Sequence, residues 1–138
     1  MNPGIHILVI DDDAMVRDVL CEYLSTFGFV NVTEATTASR ALKMIHDQKI
    51  QIDLVLSDWE MPEHNGLTML KAVRNSPHRK DTKFIMITSQ KSMERMKITQ
   101  AANWRVNSYI VKPFRARILR DKIWKAMGWE DESQADSA

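Results

Sequence analysis

Three consecutive carboxylates, Asp11, Asp12 and Asp13, follow the aliphatic run ILVI, and a fourth, Asp58, follows a second run, DLVLS. Two more apolar runs end in reactive groups, FIMI in Thr88 and YIV in Lys112. Each has an ordinary explanation alone: a solvated acidic loop, a strand-end hydroxyl, a surface lysine ahead of a helix. Their joint placement changes the reading. If the four runs are parallel strands of one sheet, all four groups reach the edge beyond the strands' carboxyl ends, where open α/β sheets bind ligands. Carboxylates crowded there repel and raise one another's pKa unless a cation intervenes. Mg²⁺ suits such a cluster, because it is small, hard and content with one or two carboxylates plus water and phosphate oxygens. Asp11-Asp12-Asp13 lacks the alternating ligands and later Glu of an EF-hand loop. A phosphoryl group carried on a carboxylate needs a cation, a hydroxyl or amide donor and an ammonium around its oxygens, and this set supplies them.

The elements that must position these groups alternate along the chain. Residues 5–10 are continuously aliphatic, as in a strand buried on both faces. Val16, Val19, Leu20, Tyr23, Leu24 and Phe27 then recur at helical spacing, with Gly28 behind them as a stop. Residues 30–35 suit a second strand, and Ala38, Ala41, Leu42 and Ile45 mark a second helix. Residues 53–57 form a third strand, and residues 61–66 read as a loop with Pro62 and an Asn65-Gly66 turn signal. Leu67, Leu70 and Val73 mark a third helix that ends before Ser76-Pro77. Residues 83–87, 92–103 and 108–111 read as strand, weakly amphipathic helix and strand, and Ile118, Leu119, Ile123 and Met127 line a last helix before Gly128. Five βα units with right-handed crossovers predict an α/β fold, a (βα)5 doubly wound five-stranded parallel sheet.

A chain of 138 residues, 44% hydrophobic, fits one compact domain with one core. The net charge of +1 leaves no nucleic-acid footprint, so DNA is not an expected partner. The last nine residues hold Glu130, Asp131, Glu132 and Asp136 and no base, so the first 129 carry a mild +5. Cys21 is the only cysteine, which rules out an intrachain disulfide and suits a reducing cytoplasm. No apolar stretch approaches the ~18–20 residues of a membrane span, and the N-terminus has no secretory pattern, so membrane insertion is not expected. Residues 1–129 are expected to form the domain and residues 130–138 a disordered acidic tail.

The elements IDDD, LSDWEMPEHNG, ITS and YIVKPF, in this order, resemble the receiver domain of bacterial response regulators over roughly residues 5–128. SDWEMP, LKAVR and the KPF ending are most similar to the single-domain chemotaxis regulators of that family. The resemblance implies a flavodoxin-like strand order of 2-1-3-4-5. It implies that Asp58 accepts a phosphoryl group from a histidine kinase. Asp11, Asp12, Asp58 and the backbone carbonyl of Glu60 would hold Mg²⁺, while Thr88 and Lys112 would contact the phosphoryl oxygens. Asp13 falls outside the acidic pair, because Arg17 fixes the register. Thr88 and Tyr109 would form the switch, with Tyr109 turning inward in the active state. Lys112-Pro113 would be a cis peptide. Glu60 and Gln90, two positions past Asp58 and Thr88, would modulate loss of the phosphoryl group to water. The chain would be a signalling module, not a turnover enzyme.

The output surface would be the fourth helix, fifth strand and fifth helix, carrying Lys91, Arg95, Lys97, Arg105, Arg115, Arg117, Arg120, Lys122 and Lys125. That charge suits an acidic partner, a flagellar motor switch by resemblance, although a solvated helix face would look the same. Three positions depart from the family pattern. Thr88 and Lys112 lie 24 positions apart, about two more than the pattern has; Arg105, beside Trp104, stands where a Gly usually ends the fourth helix; and Asn65 replaces an Asp. Two alternatives stay open: a phosphorelay intermediate or a receiver excised from a larger regulator, and, more remotely, a haloacid-dehalogenase-type phosphatase with Asp11 as nucleophile and Asp13 as partner. The last lacks a later acidic pair and room for a cap, and leaves Asp58 without a task.

Overall fold

The structure, a computed structural model, describes residues 1–89 and 95–129. The expectations placed on Gln90, Lys91, the Arg95 side chain and residues 130–138 lie outside the described residues. Five strands, β1 (His6–Ile10), β2 (Asn31–Ala35), β3 (Leu54–Asp58), β4 (Lys83–Ser89) and β5 (Ser108–Lys112), alternate with five helices. The helices are α1 (Ala14–Thr26), α2 (Ala38–His46), α3 (Gly66–Asn75), α4 (Arg95–Asn103) and α5 (Ala116–Met127). All strand pairs are parallel, in the order β2-β1-β3-β4-β5. The doubly wound sheet expected from the βα rhythm is therefore present, and so is the strand order implied by the resemblance.

Continuous aliphatic runs are explained by the two layers. Ile7 and Val9 of β1, Leu54 and Leu56 of β3, and Ile85 and Ile87 of β4 pack with Leu20 and Leu24 of α1 and Leu119 and Ile123 of α5. The alternate residues, Leu8, Ile10, Val55, Phe84 and Met86, pack with Ala41 and Ile45 of α2, Leu70 and Val73 of α3 and Ala101 of α4. Every strand residue of this kind has a helix to bury against, so no polar alternation survives in the sequence.

Local signals fix where helices begin. Asp13, Thr37 and Asn65 each accept a backbone N–H of the following first turn, from Met15, Arg40 and Thr68. Asn65-Gly66 is therefore a helix start and not the turn expected from the dipeptide. Gly66 is required for closeness: a Cβ there would lie 2.5 Å from the Asp58 carbonyl oxygen and 2.6 Å from Met86 Sδ. The Gly66 N–H donates to the Trp59 carbonyl at 2.8 Å, which presses α3 against the end of β3.

Helix ends follow one pattern with one exception. α1 and α5 each close with a paired set of backbone bonds around a left-handed glycine, Gly28 (φ 102°) and Gly128 (φ 75°). α4 closes the same way, with Val106 N–H on the Ala101 carbonyl and Arg105 N–H on the Ala102 carbonyl, but the left-handed residue is Arg105 (φ 58°). The departure seen in the sequence thus leaves the motif intact and adds strain, because a Cβ disfavours this conformation by roughly 1–2 kcal/mol. The strand register Thr88↔Val111 and Ser89↔Lys112 is regular, so the long spacing between Thr88 and Lys112 is taken up outside the strands.

Replacing Arg105 by Gly is expected to stabilise the fold by about 0.5–1 kcal/mol, the backbone relief less the entropy that glycine loses on folding. Urea denaturation of the two proteins measures this, and a fall in stability would mean the Arg105 side chain contributes more than its backbone conformation costs.

Candidate functional site

Strand parity assembles the site. Asp11, Asp58 and Lys112 continue the alternation of Val9, Leu56 and Ile110, which face the α1/α5 layer. At the carboxyl ends of β1, β3 and β5 their side chains therefore converge. Lys112 Nζ lies 3.1 Å from Asp11 Oδ2 and 3.2 Å from Asp58 Oδ1, although 101 positions separate Lys112 from Asp11. Asp11 is 1% exposed and Asp58 7%, while Asp12 is exposed. Carboxylate oxygens of Asp11, Asp12 and Asp58 all lie within 4.8 Å of one another.

The loop that carries the acids is braced. The Asp13 N–H donates to Asp11 Oδ1 at 2.9 Å, and Arg17 Nη1 donates to the Asp11 carbonyl at 2.7 Å. Arg17 also pairs with Glu34 of β2, 3.4 Å from Nε to Oε1. Asp13 caps α1, its Oδ1 accepting the Met15 N–H at 2.9 Å.

The electrostatics follow from burial. Desolvation, then the neighbouring Asp11 carboxylate, push Asp58 up to about 6 from 3.8, against Lys112 and the Trp59 N–H, which pull it down. Burial lowers Lys112, but Asp11 and Asp58 outweigh it, and the ammonium ends above its ordinary value. One ammonium thus bridges two of the three clustered carboxylates, and the acids outnumber the bases there. That donor set fits a small dication: hard oxygen ligands, close together, with one of them open to solvent. Beside Asp12 a groove of about 320 Å³, lined by Thr36, Thr37, Met61 and Glu63 among others, leaves this end of the site accessible.

Thr88 and Tyr109 sit on the other face. Thr88 follows the alternation of Phe84 and Met86, and Met86 pairs in register with Tyr109, so both side chains lie toward α3 and α4. Thr88 is 3% exposed and its hydroxyl donates to the Ser89 carbonyl at 3.4 Å. Tyr109 is half-buried, and its hydroxyl donates to the Ile98 carbonyl of α4 at 2.9 Å. Burial raises its pKa. Trp59 is buried, and its backbone N–H donates to the Ile87 carbonyl at 3.0 Å. The Glu60 side chain turns to α4, with Oε1 2.8 Å from Lys97 Nζ. Lys112-Pro113 is cis. The structure therefore brings Asp11, Asp12, Asp58 and Lys112 into one cluster. The Asp13 cap was legible as an Asp directly before a helix; the Glu60–Lys97 pair, 37 positions apart, had no sequence signal.

Residues 7–124 match the family model of the response regulator receiver domain. The chemotaxis protein CheY of Pseudomonas aeruginosa is 37% identical over 119 residues, covering 86% of this chain and 93% of that one. The chemotaxis protein CheY-3 of Vibrio cholerae is 37% identical over 125 residues, covering 91% and 93%. Among solved structures, a CheY-like response regulator receiver domain protein from Methanospirillum hungatei superposes with a TM-score of 0.79. It is 27% identical and covers 98% of this chain and 99% of its own. No described helix is long and apolar enough to cross a membrane.

The raised Asp58 sets a pH dependence. A folded-state pKa of about 6 against an ordinary 3.8 means the folded protein binds the extra proton between those values, so this group's contribution to stability falls as pH rises through that window. Asp58→Asn removes the effect. In metal-free buffer the variant is expected to be more stable than wild type by about 2–3 kcal/mol at pH 8, with the difference vanishing near pH 4. Denaturant titrations at several pH values measure this, and a difference independent of pH would show that neither burial nor the Asp11 charge raises the Asp58 pKa.

Proposed function

Because this chain belongs to the response regulator receiver domain family, we propose that it is a phosphorylation switch in which Asp58 accepts a phosphoryl group from a histidine kinase. The observation that carries this reading is the single ammonium of Lys112 bridging two buried carboxylates, Asp11 and Asp58, next to an exposed third, Asp12. Asp58 at about 6 is still mostly ionised at neutral pH and is a stronger nucleophile than an ordinary carboxylate. Its oxygen attacks the phosphorus of the kinase phosphohistidine. The P–O bond forms as the P–N bond breaks, and the imidazole nitrogen keeps the bonding pair and takes a proton from solvent. Lys112 then pairs with the phosphoryl oxygens, and the Thr88 hydroxyl leaves the weak Ser89 carbonyl contact to donate to them. Asp11, Asp12, Asp58 and the Glu60 backbone carbonyl would hold Mg²⁺, which would supply positive charge to offset the crowded carboxylates and the phosphoryl oxygens.

Thr88 is the link between the two faces of the sheet. Its movement toward the α1/α5 side opens space beside Tyr109, whose ring turns inward. The α4-β5-α5 surface changes as a result, a local charge change biasing a two-state element. Arg115, Arg117, Arg120, Lys122 and Lys125 make that surface basic and suit an acidic partner segment. Two chemotaxis relatives at 37% identity favour chemotaxis, with the flagellar motor switch as the output partner, over service as a phosphorelay intermediate or as part of a larger regulator. The proposed setting is cytoplasmic, with a signalling role and no separate substrate turned over.

Incubation with acetyl phosphate and Mg²⁺ is expected to add one phosphoryl group to wild type, located on Asp58 by peptide mass, and none to Asp58→Asn or to wild type with the metal chelated. Label on Asp11 would instead support phosphatase chemistry. Affinity for an acidic partner segment is expected to fall as salt screens the α5 charges; an affinity indifferent to salt would remove that part of the reading.

A further inference from the structure

The two ends of α4 are held in different ways. At its carboxyl end, Arg74 of α3 donates to the Trp104 carbonyl (3.3 Å), the Arg105 carbonyl (2.8 Å), Asn107 Oδ1 (2.9 Å) and the Thr82 carbonyl (2.7 Å). Asn107 Oδ1 also accepts the Phe84 N–H of β4 at 2.8 Å, and Lys71 Nζ sits 5.3 Å from the Trp104 ring centroid. A planar guanidinium with several acceptors fixes orientation as well as position, so this end is anchored to α3 and to the start of β4. Toward the amino end, two consecutive residues carry contacts to the switch machinery. Lys97 Nζ pairs with Glu60 Oε1 at 2.8 Å, and the Ile98 carbonyl accepts the Tyr109 hydroxyl at 2.9 Å. The Glu60 side chain is 57% exposed and that of Lys97 27%, so this ion pair is screened and readily exchanged.

From this asymmetry we propose that Lys97 is a positioning residue that latches the amino-terminal half of α4 to the loop following Asp58, while Arg74 serves as the fixed pivot. Glu60 lies two residues beyond Asp58, so new charge on Asp58 reaches the latch through a single short loop. Inward rotation of Tyr109 releases the Ile98 carbonyl in the same event. The helix then swings about the Arg74 end. The resting latch stands on the observed contacts alone; its response to phosphorylation rests on the function proposed above.

Hydrogen exchange of the α4 backbone amides at residues 99–101, followed by NMR on the full chain, tests both parts. In the resting protein, Lys97→Met and Glu60→Gln are each expected to speed exchange there about two- to fivefold, the range of an exposed ion pair. The double variant should do less than the sum of the two single ones, and Lys97→Arg should restore the wild-type rate. Additive effects, or single variants that exchange like wild type, overturn the latch. With Mg²⁺ and acetyl phosphate added, wild type should change its exchange at these amides. Lys97→Met, phosphorylated to the same extent by mass, should not; a change of equal size in both overturns the coupling. If wild type takes up no phosphoryl group, the function fails, and the resting rates still decide the latch.

Discussion

Asp11 and Asp58 lie side by side at the end of a buried parallel sheet, with one ammonium bridging them and an exposed third carboxylate beside them. Much of the surrounding structure holds this unfavourable arrangement in place. The Asp13 N–H and the Arg17 guanidinium fix the Asp11 loop from the α1 side. Gly66 lets α3 pack so closely that even a methyl group would displace the end of β3. A sheet covered on both faces can neither rehydrate these groups nor separate them, so burial first, and the Asp11 charge second, raise the Asp58 pKa, and the cluster suits added positive charge. Both paired acids are buried, so the cluster is not a surface ion pair.

The same sheet keeps the acidic cluster and the Thr88 and Tyr109 side chains on different faces. Asp11, Asp58 and Lys112 share one strand parity, and Thr88 and Tyr109 share the other. Thr88 and Tyr109 therefore lie toward α4, on the opposite side of the sheet from the clustered carboxylates. The α4 helix adds its own asymmetry, anchored to α3 through Arg74 and joined to the site through Glu60 and Tyr109.

Two buried or partly buried arginines illustrate what the chain conceals. Arg79 is 2% exposed and donates to the carbonyls of Met44, Ile45 and Asp47 at the end of α2. Arg74 does the corresponding work beyond the end of α4. Both satisfy carbonyls that a helix leaves unpaired, and both come from α3 or the turn after it, about 30 positions from their partners. In sequence they are ordinary arginines, one in a helical pattern and one in a Ser-Pro loop. Asn65-Gly66 misled in the opposite way. The dipeptide has the composition of a turn, but Asn65 caps a helix and Gly66 yields space to Asp58 and Met86.

The chain by itself determined the βα rhythm, the layering and the four strand ends that carry Asp11, Asp58, Thr88 and Lys112. Burial on both faces and helical spacing are properties of neighbouring residues, and such properties are written locally. Tertiary structure alone decided which of those groups meet. Register and parity brought Lys112 between two acids, turned Thr88 toward Tyr109, and gave Glu60 and Arg74 their partners on α4. Contacts of that kind depend on how distant elements are placed, and no local pattern of residue types encodes them.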